Sequence, residues 1–129
     1  MAEVMTRDLT GKVDAYFAMW NEDDTSKRAL HIEKAWTGSG RYVDPGRDAT
    51  GHVALNEMVS AARPNFPGHT VRRTSAIDSH HNKLRFSWDV VGPDGNVPVA
   101  GIDVGVVAPD GRLERITGFF GALAPEAAG

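Results

Sequence analysis

Apolar residues recur with a helical period up to Pro64 and alternate after His69, so this chain has to place helices first and a sheet second. Leu9, Val13, Tyr16, Phe17 and Trp20 fall at i, i+4, i+7, i+8 and i+11 and line one face of a first helix. Asn21–Asp24 interrupts it, and Asp24 or Thr25 caps a second helix running to about Trp36, where Gly38 and Gly40 supply the stop. A short strand at 41–44 and a loop from Pro45 to Gly51 follow. A third helix carries Leu55, Met58, Val59 and Ala62 on one face, and Pro64 ends it. Beyond it, 70–78 reads as a strand, and over 84–91 Leu84, Phe86, Trp88 and Val90 alternate with Arg85, Ser87 and Asp89. Turns at Pro93–Asn96 and Pro109–Gly111 join that strand to 97–108 and then to 112–121, an antiparallel meander. Helices gathered before an antiparallel sheet predict an α+β fold.

With 129 residues the chain suits a single domain over 1–129, with a loose tail at 124–129. A net charge of -3 leaves no basic footprint for nucleic acid. No stretch reaches the roughly 20 apolar residues of a membrane span. Met1–Asp8 lacks an apolar segment behind a basic start, so export is not expected. Without cysteine there are no disulfides, thiolate metal sites or thiol nucleophiles, which fits a cytoplasmic protein. The histidines make no metal motif: adjacent His80 and His81 point to opposite faces of a strand, and His31, His52 and His69 belong to different elements. Gly38-Ser-Gly40 is too short for a phosphate loop and precedes a strand, so neither metal nor nucleotide cofactor is expected.

Chemistry is suggested by two aspartates. Asp103 stands inside the apolar run Val97–Val107, on the same side as Val97, Val99, Gly101, Gly105 and Val107, where small neighbours leave room beside its carboxyl group. It is either a satisfied polar residue on a wet or interfacial face or a pocket group. Asp44 closes the run Arg41–Asp44 ahead of Pro45, either as a turn-starting carboxylate bound to backbone amides or as an acid/base group. Tyr16 lies on the core face of the first helix, where it packs or reaches toward Asp103. Trp20, Trp36, Met58, Trp88 and Phe120 are core residues first, and some of them would line a pocket.

Tyr42-Val-Asp44-Pro45-Gly46, then Gly51-His-Val-Ala-Leu55, Phe66-Pro-Gly68, Gly92-Pro-Asp-Gly95 and Gly118-Phe-Phe-Gly121 together resemble the nuclear transport factor 2-like superfamily, and its SnoaL-like branch of small polyketide cyclases most of all. The resemblance runs from about Leu9 to Leu123. It implies a cone-shaped α+β barrel, with three N-terminal helices packed on a strongly curved, mainly antiparallel sheet and a hydrophobic pocket at the wide end. Ketosteroid isomerases share this fold and pair one ionised with one protonated aspartate. Tyr16 falls on their catalytic tyrosine, Asp44 on their general base, Asp103 on their protonated aspartate and Phe120 on a pocket aromatic. Trp20 falls on a smaller pocket position, which implies a cavity narrower than a steroid needs. Limonene-epoxide hydrolases, another branch, need an Arg-x-Asp pair where this chain has Arg85-Phe-Ser87, so epoxide hydrolysis is disfavoured.

The expected activity is therefore that of a cofactor-free enzyme, a SnoaL-like aldol cyclase or a ketosteroid isomerase-like double-bond isomerase. Asp44 would take a proton beside a carbonyl, while Tyr16 and a neutral Asp103 would hydrogen-bond the enolate oxygen. Trp20, Met58, Trp88 and Phe120 are expected to bind an apolar small molecule. The alternative is a non-catalytic binding or dimerisation domain of the same fold. Because Ala100, Ile102, Val104 and Val106 oppose the Asp103 side, the strand is apolar on both faces, and a homodimer is expected.

Overall fold

The computed structural model describes residues 2–127, and within them the two periodicities separate as helices and sheet. Helix α1 (Ala2–Asn21) leads to α2 (Thr25–Ala35), whose N-terminus is capped by Asp24 accepting from the Ser26 and Lys27 amides at 2.9 and 3.0 Å. A hairpin of β1 (Trp36–Asp44) and β2 (Arg47–Thr50) precedes α3 (His52–Ala62), and a 3-10 turn at Arg63–Asn65 holds Pro64 just past the end of that helix. The remaining strands are β3 (Thr70–Arg73), β4 (Asp78–His80), β5 (Lys83–Val91), β6 (Val99–Val107) and β7 (Leu113–Phe120).

The sheet runs in the order β2-β1-β7-β6-β5-β3, with β4 also paired to β5. Every pairing is antiparallel except β1 with β7, which is parallel, so the sheet is mixed but mostly antiparallel. It curls around the helices without closing. Leu9, Val13, Tyr16 and Phe17 of α1, Ile32 of α2, Leu55 and Val59 of α3, and Trp36, Leu84, Phe86, Leu113 and Ile116 of the sheet form one buried core. Ala15 and Met19 are buried as well, because α1 packs on α2 and α3 as well as on β3. No helix among the described residues is long and apolar enough to cross a membrane.

Several boundaries differ from the sequence pattern. Helix α2 stops at Ala35, and the chain is already extended at Trp36, so Gly38 and Gly40 lie inside a nine-residue strand rather than ending a helix. Gly40 is there for space: a Cβ would come within 2.5 Å of Cε3 in the Trp36 ring. Part of the expected loop at 45–51 is the strand β2, joined to β1 by a tight turn at Pro45-Gly46. The expected strand at 70–78 is two short strands with a break at 74–77. Residues 124–127 are exposed and carry no regular structure, and the last two residues of the expected tail lie outside the described residues.

Candidate active site

The parallel contact of β1 with β7 decides what meets what. Val43 pairs with Thr117, and Asp103 of β6 pairs with Gly118, so Asp44 and Asp103 arrive from strands on either side of β7. A Cβ on Gly118 would lie 3.0 Å from Asp103 Oδ1, 3.3 Å from the Tyr42 hydroxyl and 3.4 Å from Asp44 Cβ. Glycine at this position keeps open the gap between the two carboxyl groups. Both face a cavity of about 190 Å³. Tyr16, Tyr42, Asp44, Arg47 and Asp103 are among the polar residues that line it, and Trp20, Phe66, Val71, Trp88, Val99 and Phe120 make most of its apolar wall.

Asp103 is 2% exposed and both its oxygens are engaged. The Tyr16 hydroxyl donates to Oδ2 at 2.7 Å and the Trp88 indole N–H donates to Oδ1 at 2.9 Å. Burial pushes the carboxyl group up to about 7; the two hydrogen bonds act downward, and the charge of Asp44 adds a further upward push. Trp88 can lie flat enough to reach Asp103 because Gly101 faces it on β6, where a Cβ would come 2.7 Å from the indole Cζ2 and 2.1 Å from the Phe119 carbonyl oxygen. The space foreseen beside Asp103 is thus partly filled by the indole. Burial, followed by the neighbouring carboxyl charges, raises the pKa of both the Tyr16 and Tyr42 phenols, so each stays a protonated donor.

Asp44 has a side chain only 1% exposed and takes three hydrogen bonds. The Gly46 amide donates to Oδ1 at 2.9 Å, while the Tyr42 hydroxyl and Arg47 Nη1 donate to Oδ2 at 2.7 and 3.0 Å. Both local readings of this residue therefore hold at once: it fixes the turn amide, and it faces the cavity beside Asp103. Tyr42 was not singled out from the sequence, although the period of two along a strand puts residues 42 and 44 on one face. Arg47 was missed because its segment read as a loop; the β1–β2 hairpin pairs it with Asp44 in register.

Trp20, Trp88 and Phe120 line the cavity, with Trp20 packed edge-on to Tyr42 at 5.4 Å and Trp88 to Phe120 at 5.6 Å between ring centres. Met58 does not line it: on α3 it is half-buried and packs against the core instead. Trp36 is fully buried. Phe66 and His69, in the turn after α3, also reach the wall, and no periodic pattern marks them. His80 and His81 depart from the expected opposite orientation. His81 sits in a turn with φ 53°, which swings its Nδ1 to 3.1 Å from that of His80. Among the described residues no group of three or more His, Asp or Glu side chains is placed to hold a metal ion.

The folded chain superposes on a SnoaL-like family protein from Agrobacterium tumefaciens, named as a candidate isomerase, with a TM-score of 0.83 and 34% sequence identity over 90% of this chain and 99% of that one. A candidate polyketide cyclase from Sinorhizobium meliloti is similar at 17% identity and TM-score 0.67, covering 88% of this chain and 98% of its own. A nuclear transport factor 2-like protein from an Exiguobacterium species is similar at 16% identity and TM-score 0.67, covering 87% and 99%. The latter two share the fold. No family model matches the chain, and no curated protein does. The extent and identity of the Agrobacterium match, on a curled α+β sheet with its polar groups gathered at one cavity, establish that the chain belongs to the SnoaL-like family of the nuclear transport factor 2-like superfamily.

Proposed function

We propose that this protein is a small cofactor-free enzyme that moves a proton beside the carbonyl group of an apolar compound held in the cavity. The observation that carries the reading is the placing of Asp44, Asp103 and Tyr16 around one cavity, the two carboxyl groups separated by Gly118. A carboxylate offers about four lone-pair sites, and Asp44 uses three of them, which leaves one to accept a proton from carbon. The electron pair left behind moves onto the carbonyl oxygen; Tyr16 turns its one O–H from Asp103 Oδ2 to that oxygen, which frees the neutral form of Asp103 to donate there as well. Return of the proton to another carbon isomerises the compound; attack of the enolate carbon on a second carbonyl in the same molecule closes a ring.

Size limits the substrate. An apolar cavity of about 150 Å³ holds benzene, so one of about 190 Å³ suits a single substituted ring better than four fused ones. The absence of cysteine suits a reducing compartment, and the cytoplasm is the proposed location. A second copy of the chain is proposed to cover the outer face of the sheet.

The test follows deuterium exchange beside the carbonyl in small cyclic ketones and 1,3-diketones. Asp44→Asn should bind these compounds yet exchange no faster than buffer, since an amide does not accept the proton. Asp103→Leu should slow exchange about 100-fold through loss of a donor at the developing oxyanion. The three donors already held by Asp44 favour a second reading, in which its carboxylate only shapes a binding cavity. Equal exchange by the parent protein and Asp44→Asn would leave that second reading standing.

A further inference from the structure

Arg47 lines the cavity but gives Asp44 only one prong, Nη1 to Oδ2 at 3.0 Å. The other oxygen of Asp44 accepts the Gly46 amide at 2.9 Å, and no second prong of Arg47 reaches it, so its remaining lone pair stays open for the proton. Of the exposed guanidinium groups, Arg85 and Arg112 also reach their aspartates with one prong, through Nε, whereas two others make the full fork. Arg41 lays Nε and Nη2 across both oxygens of Asp48 at 2.9 and 2.8 Å, and Arg72 does the same to Asp89 at 2.7 and 3.1 Å. No hydrogen bond from the Nε–Nη2 edge of Arg47 is made to any described residue. The side chain is 28% exposed and neither nitrogen of this edge is buried, so both are open to an incoming acceptor. A planar pair of parallel donors matches the two oxygens of a carboxylate.

We infer that the cavity's ligand carries a carboxylate that pairs with the Nε–Nη2 edge of Arg47 while its ring lies among Trp20, Phe66, Trp88 and Phe120. The inference rests on the reading of this cavity as the substrate site and narrows the substrate to a small oxo acid. Charge in the cavity permits it. Asp44 and Arg47 offset each other, both tyrosines stay uncharged, and Asp103 is held where its neutral form persists near pH 7. Arg63, also on the wall, is already paired with Asp23 and with the Trp20 carbonyl oxygen. An entering acid therefore meets at most the partial charge of Asp103, and its own charge would favour the neutral, donating form of Asp103 further.

Trp20 and Trp88 face the cavity, so their fluorescence reports binding whether or not turnover occurs. The probes are 3-oxocyclohexanecarboxylate and its neutral amide, titrated at low salt and pH 7. The parent protein should bind the acid at least about tenfold more tightly than the amide, as expected for a charge-assisted pair. Arg47→Gln should bring the two probes within about twofold, and Arg47→Lys, which keeps the charge but not the fork, should retain only part of the preference. Circular dichroism checks that Arg47→Gln is folded; if it is not, the parent protein and Arg47→Lys decide. Equal binding of the two probes by the parent protein, full preference in either folded variant, or no saturable binding of the acid would overturn the proposal. Acid preference without deuterium exchange would overturn only the proton-transfer reading, and exchange of neutral ketones without acid preference would overturn only this one.

Discussion

Groups around Asp103 pull its proton in opposite directions, and the balance has a measurable consequence for stability. Burial holds the carboxyl at about 7 in the folded protein, despite donors on both oxygens. In the unfolded chain it returns to about 3.9. Between these values the native state binds more protons than the unfolded state, so this residue's contribution to stability is greatest below about pH 4, declines as pH rises, and levels off above about 7. From pH 5 to pH 8 the loss is on the order of 2 to 3 kcal/mol. Asp103→Asn removes the titration while keeping a polar group for Tyr16 and Trp88. Urea unfolding of both proteins at pH 5 and pH 8 should show the parent losing that amount relative to the variant. Parallel pH dependences would mean that Asp103 is ionised throughout and cannot serve as a neutral donor. The sequence made this residue conspicuous because a carboxylate in an apolar run is costly. It gave no such mark to Arg47, whose importance depends on a hairpin turn and on which edge of the guanidinium is left over.

Among the elements, those with a local cause were legible and those made by pairing were not. Helices α1 and α3 follow their apolar spacing, and the turns at Gly92–Asn96 and Ala108–Arg112 close where Pro, Asp and Gly cluster. The stretch Thr37–Gly40 has no alternation to read; it is the irregular part of β1 between Trp36, paired with Leu113 of β7, and Arg41, paired with Arg115 of β7 and Thr50 of β2. That parallel pairing, between segments far apart in sequence, is also what brings Asp44 to Asp103. Met58 shows the opposite error: it shares a helical face with Leu55 and Val59, but the face is broader than the part that meets the cavity. The spacing of α2 carries a further signal, since Arg28, Ile32 and Ala35 fall on one buried face. Arg28, 2% exposed, donates to the Glu22 carbonyl oxygen, the Asn56 side chain and the Ser60 hydroxyl, tying the turn after α1 to α2 and α3. Arg28→Ala removes all of these bonds together with the packing of a buried side chain and should cost about 2 to 4 kcal/mol in chemical denaturation. Arg41→Ala, at an exposed pair with Asp48, should cost less than about 1 kcal/mol. Equal effects from the two substitutions would contradict a helix-locking role for Arg28.

The curled sheet gives the whole molecule an inner face committed to helices and cavity and an outer face left to solvent in the single chain. On that outer face Ile102 and Phe119 pair directly across β6 and β7 and are 47% and 57% exposed, with Val104 beside them at 37%. The strand expected to be apolar on both sides is so, and only its Asp103 side is covered. Neighbouring exposed apolar side chains on a regular sheet favour association over isolated solvation. A second copy of the same chain presents the same strip, and an isologous two-fold pairing buries both at once. The expected outcome in sedimentation velocity at micromolar concentration is therefore a dimer. Ile102→Lys combined with Phe119→Lys would place like charges on facing surfaces and should yield monomers with unchanged circular dichroism, since neither side chain supports the core. The cavity is lined from the Asp103 side of β6 and not by Ile102 or Phe119, so the monomeric variant should still bind its ligand. A parent protein that sediments as a monomer, or a double variant that remains dimeric, would remove the outer sheet face as the contact.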